Sequence, residues 1–174
     1  KTLMCYVIPV LYHLFEMKET VIVGLPSMDM ANDKWSEDIL PVIESSEYGH
    51  LLPTMGEGSR GGQVKRSIRF QNGATMRFMT AGGDDKKRSA YTSRVVAITE
   101  VDGMDEAGAT SRETDKIEQI ESRTRAFGRT GKRVYLECTL SIPNGRINQE
   151  VTTGSNAKLL RPCPHCGVYV APER

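Results

Sequence analysis

The chain has 174 residues, of which 39% are hydrophobic and 26% are charged, and its formal net charge is +1. This composition is typical of one globular domain with a sizeable core and room for the start of a second. The near-neutral charge excludes nucleic-acid binding by overall basicity, and no apolar run approaches the ~20 residues of a membrane span. No signal-peptide pattern is visible, so a cytoplasmic protein is expected.

The first third of the chain has the pattern of a helix, a strand and a second helix: Leu3–Met17, Thr20–Leu25 and about Met28–Glu44. The first helix is apolar on nearly every side, which predicts burial beneath a sheet, and Pro9 is expected to kink it. Ser27 is a good N-cap for the second helix. A loop rich in glycine, proline and serine is predicted over Gly49–Gly62.

Two short strands, about Ser67–Phe70 and Thr75–Thr80, flank Asn72-Gly73, a strong hairpin signal. The later elements are a polar connection (Ala81–Ser93), a buried strand (Val95–Ile98), an acidic turn region (Gly103–Arg112), a helix (Glu113–Arg125), a strand (Lys132–Thr139) and a turn (Ser141–Gly145). Alternating strands and helices predict an α/β fold with a mostly parallel sheet, and the hairpin is an insertion or an antiparallel edge.

Carboxylates stand directly after the buried strand, at Glu100 and Asp102. In open α/β sheets this end of the strands is where ligands and catalytic groups lie. Lys1-Thr2 precedes the first helix, as in a P-loop nucleotidase, whose lysine reaches the β- and γ-phosphates and whose hydroxyl holds Mg²⁺. The glycines expected before that lysine are not in this chain, so we expect it to begin inside its phosphate-binding loop.

A nucleotidase of this kind needs one acid for the Mg²⁺ shell and another to polarise the attacking water. Thr99 precedes Glu100 and brings a hydroxyl but no charge. Asp102 is a candidate for the metal role, because the two-residue period of a continued strand would direct it to the same side as Glu100. The other interpretation of these acids is that they cap a nearby helix.

Arginines precede the acid-tipped strand at Arg88 and Arg94, within a region, Arg60–Arg94, that has nine Lys/Arg against Asp84 and Asp85. Either arginine is a candidate arginine finger, which stabilises transition-state charge in a neighbouring active site. The alternative is a basic loop that faces solvent or DNA phosphates.

Cys163 and Cys166 have the C-x-x-C spacing of a zinc knuckle, closed by Gly167. A full zinc site needs two more ligands, and His165 is not expected to be one of them. The redox interpretation of C-x-x-C requires a helix start after a strand. Prolines before and inside the motif favour a ribbon turn instead.

Taken in order, these motifs resemble the ATPase domain of the large terminase subunit of tailed phages, in particular the lambda-type family. The resemblance rests on Lys1-Thr2, Val21–Ile43, Arg88–Met104 (RSAYTSRVVAITEVDGM), Leu136–Ile147 (LECTLSIPNGRI) and Cys163–Gly167 (CPHCG). It implies a P-loop NTPase-type ATPase domain over residues 1–155. Residues 156–174 would begin a zinc-ribbon-like linker toward an absent nuclease domain.

The resemblance also implies ATP and Mg²⁺ as ligands, with zinc in the full-length protein. Lys1 and Thr2 correspond to the phosphate and magnesium ligands, Glu100 to the catalytic glutamate, and Thr99 to the Walker-B aspartate. The coupling motif, which links the γ-phosphate to DNA gripping, falls at Cys138-Thr139-Leu140, or in a shifted register at Ser141-Ile142-Pro143. The implied partners are double-stranded DNA, the terminase small subunit, the portal or procapsid, and further copies of the chain, in the host cytoplasm.

Two alternatives remain open from the sequence. One is another nucleic-acid-dependent P-loop ATPase, such as a helicase. The other is a non-enzymatic DNA-binding module, in which Thr99 marks a lost active site and Arg60–Arg94 binds DNA.

Overall fold

The computed structural model describes residues 2–80, 91–106, 115–139, 143, 145–155, 157 and 160–171. The chain divides into two compact units, Lys1–Thr139 and Leu140–Arg174. The domain boundary expected between residues 155 and 156 stays a prediction. Across the described residues, no helix combines the length and the apolar character that crossing a membrane requires.

A five-stranded sheet forms the centre of the first unit. Its strands are β1 (Val21–Leu25), β2 (Ser67–Arg69), β3 (Thr75–Thr80), β4 (Val95–Thr99) and β5 (Arg133–Glu137). They are ordered β2-β3-β1-β4-β5, and every neighbouring pair is parallel except β2 and β3. The expected mostly parallel α/β sheet is therefore confirmed, with the hairpin as its antiparallel edge.

Helices cover this sheet. Helix α1 comprises Leu3–Val7, Ile8–Leu11 and Tyr12–Glu16, and α2 comprises Met28–Asp33, Lys34–Ile39 and Leu40–Ser45. The shorter helices are a 3₁₀ helix (Glu47–Leu51), α3 (Gly103–Glu106), α4 (Lys116–Glu121) with a 3₁₀ continuation (Ser122–Phe127), and α5 (Gly128–Gly131).

Both faces of the central strands are buried, as expected for parallel strands. All five residues of β1 and all five of β4 are buried. On one face, side chains of α1 and α2 such as Tyr6 and Trp35 pack with the strands in a single core. On the other face α4 approaches closely, because a Cβ placed on Gly24 would lie 3.1 Å from Ile120 Cδ1.

Local signals set several of these elements. The Ser27 hydroxyl accepts a hydrogen bond from the Met30 N–H (3.2 Å), which confirms the predicted N-cap of α2. Gly73 has a φ of 88°, and the Phe70 N–H donates to the Ala74 carbonyl at 2.9 Å, so the Asn-Gly hairpin is also confirmed.

Helix α1 packs beneath the sheet as expected, but its apolar residues are buried on one side only. Leu3, Met4, Ile8 and Tyr12 are between 44% and 66% exposed. The reason is that a helix packed against one face of a sheet keeps an outer face. The helix runs through Pro9, where its hydrogen bonding changes from the wider π type to the α type.

Two other regions differ from expectation. Gly103–Arg112 was expected to be turn-rich, but its described start is the short helix α3. Of the described part of the helix expected over Glu113–Arg125, Lys116–Glu121 is α-helical and the residues after it continue as a 3₁₀ helix. The carboxylate of Asp115 caps the α-helical part by accepting from the Ile117 N–H at 2.9 Å. Residues 81–90 and 107–114 lie outside the described residues, as does most of the predicted turn 141–145.

The second unit contains a helix that the sequence analysis did not predict, α6 (Arg146–Thr153), and a two-stranded antiparallel sheet of β6 (Arg161–Pro162) and β7 (Tyr169–Val170). The C-x-x-C segment connects β6 and β7. The Gly167 N–H donates to the Cys163 carbonyl at 2.9 Å, and Gly167 has a φ of 72°. The tight ribbon turn expected there is present.

Candidate active site

Polar side chains gather where β4 and β5 end. The register of these parallel strands pairs Thr99 with Glu137, so their side chains lie on the same face. Thr99 Oγ1 donates a hydrogen bond to Glu137 Oε2 at 2.6 Å, and both side chains are buried. A hydroxyl and a carboxylate therefore stand together at the carboxyl edge of the sheet, where open α/β folds place ligands.

The start of α1 reaches the same carboxylate. Thr2 Oγ1 lies 3.4 Å from Glu137 Oε1 and donates to it. One oxygen of Glu137 thus faces Thr2 and the other faces Thr99. Of the predicted metal ligands, Thr2 and Thr99 are brought together in this way, by an acid that the sequence analysis missed. The available signal was an acid directly after Val134-Tyr135-Leu136 in a predicted strand.

Tyr6 lies one helical turn beyond Thr2 on α1. It is fully buried, and its hydroxyl has no hydrogen-bond partner among the described residues. Burial, followed by the negative charges of Glu137 and Asp38, raises the pKa of Tyr6 above its usual range. A buried hydroxyl without a partner is uncommon and marks a place where a further polar group fits.

Glu100 has an unusual backbone conformation at the tip of β4. Its φ is 53°, in the left-handed region that residues other than glycine rarely adopt. The turn is held because the Gly103 N–H donates to the Glu100 carbonyl at 3.0 Å and the Val101 N–H donates to the Glu137 carbonyl at 3.4 Å. Backbone strain of this kind clusters at functional sites, which agrees with the catalytic role expected for Glu100.

Asp102 is placed differently from expectation. The strand ends at Thr99 and the chain turns at Glu100, so the premise of a continued strand is wrong. The Asp102 N–H donates to Cys138 Sγ at 3.4 Å, and its carboxylate oxygens have no partner within the described part of the chain. A metal role for Asp102 stays a prediction.

Arg94 directly precedes β4, at the opposite end from Glu100. Its Nη1 donates to Glu19 Oε1 at 3.1 Å, and its Nε donates to the Gly131 carbonyl. A five-residue strand separates the two ends by roughly 17 Å. Arg94 therefore contacts its own chain, away from the polar edge. Its role as an arginine finger or DNA contact stays a prediction, as does that of Arg88, which lies outside the described residues.

Other arginines of Arg60–Arg94 also contact their own chain. Arg60 Nε lies 2.9 Å from Glu44 Oε1, and the Arg77 guanidinium lies 3.6 Å from the ring centroid of Tyr91. These contacts agree with a surface role for part of the basic region.

The remaining predicted site residues are only partly described. Cys138 is buried and Thr139 is exposed, directly after Glu137. Lys1 and Ser141 lie outside the described residues. The coupling role of Cys138, Thr139 and Ser141 stays a prediction.

The two expected metals fit their sites to different degrees. Thr2, Thr99 and Glu137 offer only oxygen donors, the kind that Mg²⁺ prefers. For zinc, hydrogen bonds from the Cys166 and His165 backbones, with one from the Cys166 side chain, lower the pKa of the Cys163 thiol and so favour the thiolate that binds the metal. No group of three or more His, Cys, Asp or Glu side chains is assembled among the described residues, so Cys163 and Cys166 offer two of the four ligands that zinc requires.

A mostly parallel sheet with hydroxyls and carboxylates at its carboxyl edge is the arrangement of an α/β domain that binds its ligand at that edge. Residues 4–173 match the family described as phage terminase large subunit gpA, ATPase domain, and the chain belongs to this family. Its function is that of an ATPase in a motor that packages phage DNA, and the resemblance found in the sequence is confirmed. Among curated proteins and among solved structures, none matches the chain significantly.

Proposed function

We propose that this domain hydrolyses ATP with Mg²⁺ at the edge formed by the start of α1 and the ends of β4 and β5. The observation that carries the proposal is the contact of Thr2, at the head of α1, with the buried carboxylate of Glu137 beside Thr99. Lys1-Thr2 is the end of a phosphate-binding loop in this proposal. Backbone N–H groups at the start of α1 add a favourable field for phosphate.

Thr2 and Thr99 would hold Mg²⁺, which would neutralise charge on the β- and γ-phosphates. Lys1 holds those phosphates, and the hydroxyls of Thr2 and Thr99 orient oxygen ligands around them. Glu100 accepts a hydrogen bond from the attacking water and takes its proton as the new oxygen–phosphorus bond forms. The bond between the γ-phosphorus and the bridging oxygen breaks on the opposite side, and ADP and phosphate leave.

The end of β5 offers a route from hydrolysis to movement. Glu137 belongs to the candidate site, and Cys138 and Thr139 follow it directly in the chain. In our proposal Cys138, Thr139 and Ser141 transmit the loss of the γ-phosphate to the part of the motor that grips double-stranded DNA. The proposed partners are the small subunit, the portal or procapsid and other copies of the chain, in the host cytoplasm. The nuclease activity belongs to another part of the large subunit.

Zinc has a structural role in this proposal. Cys163 and Cys166 bind one side of a tetrahedral ion in a linker that begins near residue 156, and two further ligands complete it.

The experiment that tests the proposal is Lys1→Ala in the full-length protein. We expect ATP hydrolysis to fall at least about a hundredfold, because the lysine meets charge that develops on the phosphates. Lys132→Ala, at an exposed position before β5, is the matched control and should hydrolyse ATP normally. Normal turnover by Lys1→Ala would exclude the phosphate-binding role of Lys1. Strand separation of duplex DNA by the unmutated protein would favour the helicase alternative.

A further inference from the structure

We propose that Glu137, on β5, supplies the carboxylate for the magnesium–nucleotide site that β4 lacks at Thr99. This inference rests on the proposed function and names a residue of the same site. It places the acid one strand away from the position where the family resemblance leads one to look for it.

The strand register places Glu137 beside Thr99. Thr99 and Glu137 are paired across β4 and β5, and neighbouring strands lie about 4.8 Å apart. A longer acidic side chain on β5 can therefore reach the space in front of the shorter side chain on β4. The Thr99 hydroxyl donates to Glu137 Oε2 at 2.6 Å, which holds the carboxylate in that position.

Thr2, at the start of α1, is the second residue that contacts Glu137. Its 3.4 Å separation from Glu137 Oε1 lies at the upper limit of a hydrogen bond. Such a contact is weak, so the Thr2 hydroxyl can turn its own lone pairs toward a cation beside the carboxylate. A hydroxyl and a carboxylate at this distance are a donor set that suits a hard divalent ion.

An independent observation comes from Tyr6. Its hydroxyl is buried one turn along α1 from Thr2 and has no hydrogen-bond partner among the described residues. An additional polar group, such as a metal-bound water or a phosphate oxygen, would satisfy it. Tyr6 is thus a buried polar group on α1 that the described side chains leave unsatisfied.

Asp102 is the competing acid. Its backbone N–H donates to Cys138 Sγ at 3.4 Å, and its carboxylate oxygens have no hydrogen-bond partner among the described residues. Of the two acids, Glu137 is the one in contact with both Thr2 and Thr99.

The test measures nucleotide binding rather than hydrolysis. The dissociation constant of ADP is determined by calorimetry on the full-length protein, once with Mg²⁺ and once with EDTA. The value in EDTA divided by the value in Mg²⁺ is the ratio that reports magnesium-dependent binding. Glu137→Gln should reduce that ratio by about tenfold or more, as loss of a metal-orienting group commonly does. Glu47→Gln, an exposed acid on the 3₁₀ helix after α2, is the control and should leave the ratio unchanged.

A double variant that moves the acid from β5 to β4, called the swap below, gives the second readout. Thr99→Asp combined with Glu137→Thr returns the acid to β4 and should restore the ratio to within about threefold of the unmutated protein, since the donor atoms stay the same. If Glu137→Gln fails to fold, as judged by circular dichroism, the swap alone decides. A folded swap with a ratio near one overturns the proposal.

The outcomes separate this inference from the proposed function. An unchanged ratio in folded Glu137→Gln overturns the role of Glu137, and the proposed function stands if Lys1→Ala still abolishes hydrolysis. If Lys1→Ala hydrolyses ATP normally, the proposed function fails whatever Glu137 does.

Discussion

Thr99 donates a hydrogen bond to Glu137 across the ends of β4 and β5, and both side chains are buried. A buried carboxylate is tolerated when its oxygens are hydrogen-bonded, so the Thr99 hydroxyl contributes to stability as well as to the site. Thr99, which stands where a Walker-B acid was expected, thus orients Glu137 on the next strand.

Thr99→Val should destabilise the protein by about 1–3 kcal/mol, because it removes the donor and leaves a buried carboxylate oxygen without it. Valine has nearly the same shape as threonine, so packing is preserved. Thr99→Ser keeps the hydroxyl and should lose much less stability. Chemical denaturation measures both, and equal losses in the two variants would mean that the hydrogen bond contributes little.

Glu100→Gln should reduce ATP hydrolysis at least about a hundredfold while nucleotide binding is retained, because the amide keeps the shape and loses the base. Single-turnover hydrolysis and nucleotide affinity are the two measurements. Glu118→Gln, at an exposed position on α4, is the control. Hydrolysis at the unmutated rate in Glu100→Gln would contradict the catalytic role and favour the non-enzymatic alternative.

Gly58 and Gly56 form a matched pair for testing the loop before β2. Both have left-handed φ values, of 80° and 82°. A Cβ on Gly58 would lie 2.5 Å from Ile68 Cγ2, whereas a Cβ on Gly56 meets nothing within 4 Å. Gly56→Ala should therefore lose only about 1 kcal/mol of stability, because of its left-handed backbone conformation. Gly58→Ala should lose about 2 kcal/mol more, because the added Cβ overpacks against Ile68. Thermal unfolding of the two variants tests this difference, and equal losses would contradict it.

Glu57 connects stability to pH. Its Oε2 accepts hydrogen bonds from three successive backbone N–H groups, those of Lys65, Arg66 and Ser67, at 2.8–3.1 Å. Partial burial raises the pKa of Glu57, but these hydrogen bonds and the charge of Arg66 outweigh burial and lower it. Because the pKa in the folded state is depressed, the stabilisation is present above the unfolded pKa of about 4.3 and is lost as pH falls through the folded pKa.

Glu57→Gln should accordingly destabilise the protein at pH 7 by about 1 kcal/mol, allowing for solvent screening at this partly exposed group. The difference from the unmutated protein should shrink as the pH falls below about 4. Urea denaturation at several pH values measures both effects. A difference that stays constant down to pH 3 would contradict the role of the carboxylate charge.

The C-x-x-C turn makes a prediction about metal content. The full-length protein should retain about one zinc ion at this knuckle, and Cys163→Ser should release it, because the thiolate is a required ligand. Cys5→Ser, at an exposed cysteine on α1, is the control. Metal analysis that finds no zinc at this site in the unmutated protein would leave the segment as a structural turn.

Local features of this fold were predictable from the sequence because short-range chemistry determines them. The Asn72-Gly73 turn needs a left-handed residue, which glycine supplies, and Ser27 caps α2 through its own hydroxyl. The apolar run of β4 indicated a strand buried on both faces, and the acids after it indicated a site at its end.

Tertiary structure alone decided which polar groups meet at that edge. Glu137 contacts Thr2 and Thr99, which lie 135 and 38 residues away in the chain, so the contact depends on strand register and on the packing of α1. The sequence likewise indicated an apolar α1 but not which of its sides would face solvent. Register and packing are long-range properties, whereas period and propensity are local. For this reason the elements were predictable, while the acid that contacts Thr2 and Thr99 was not.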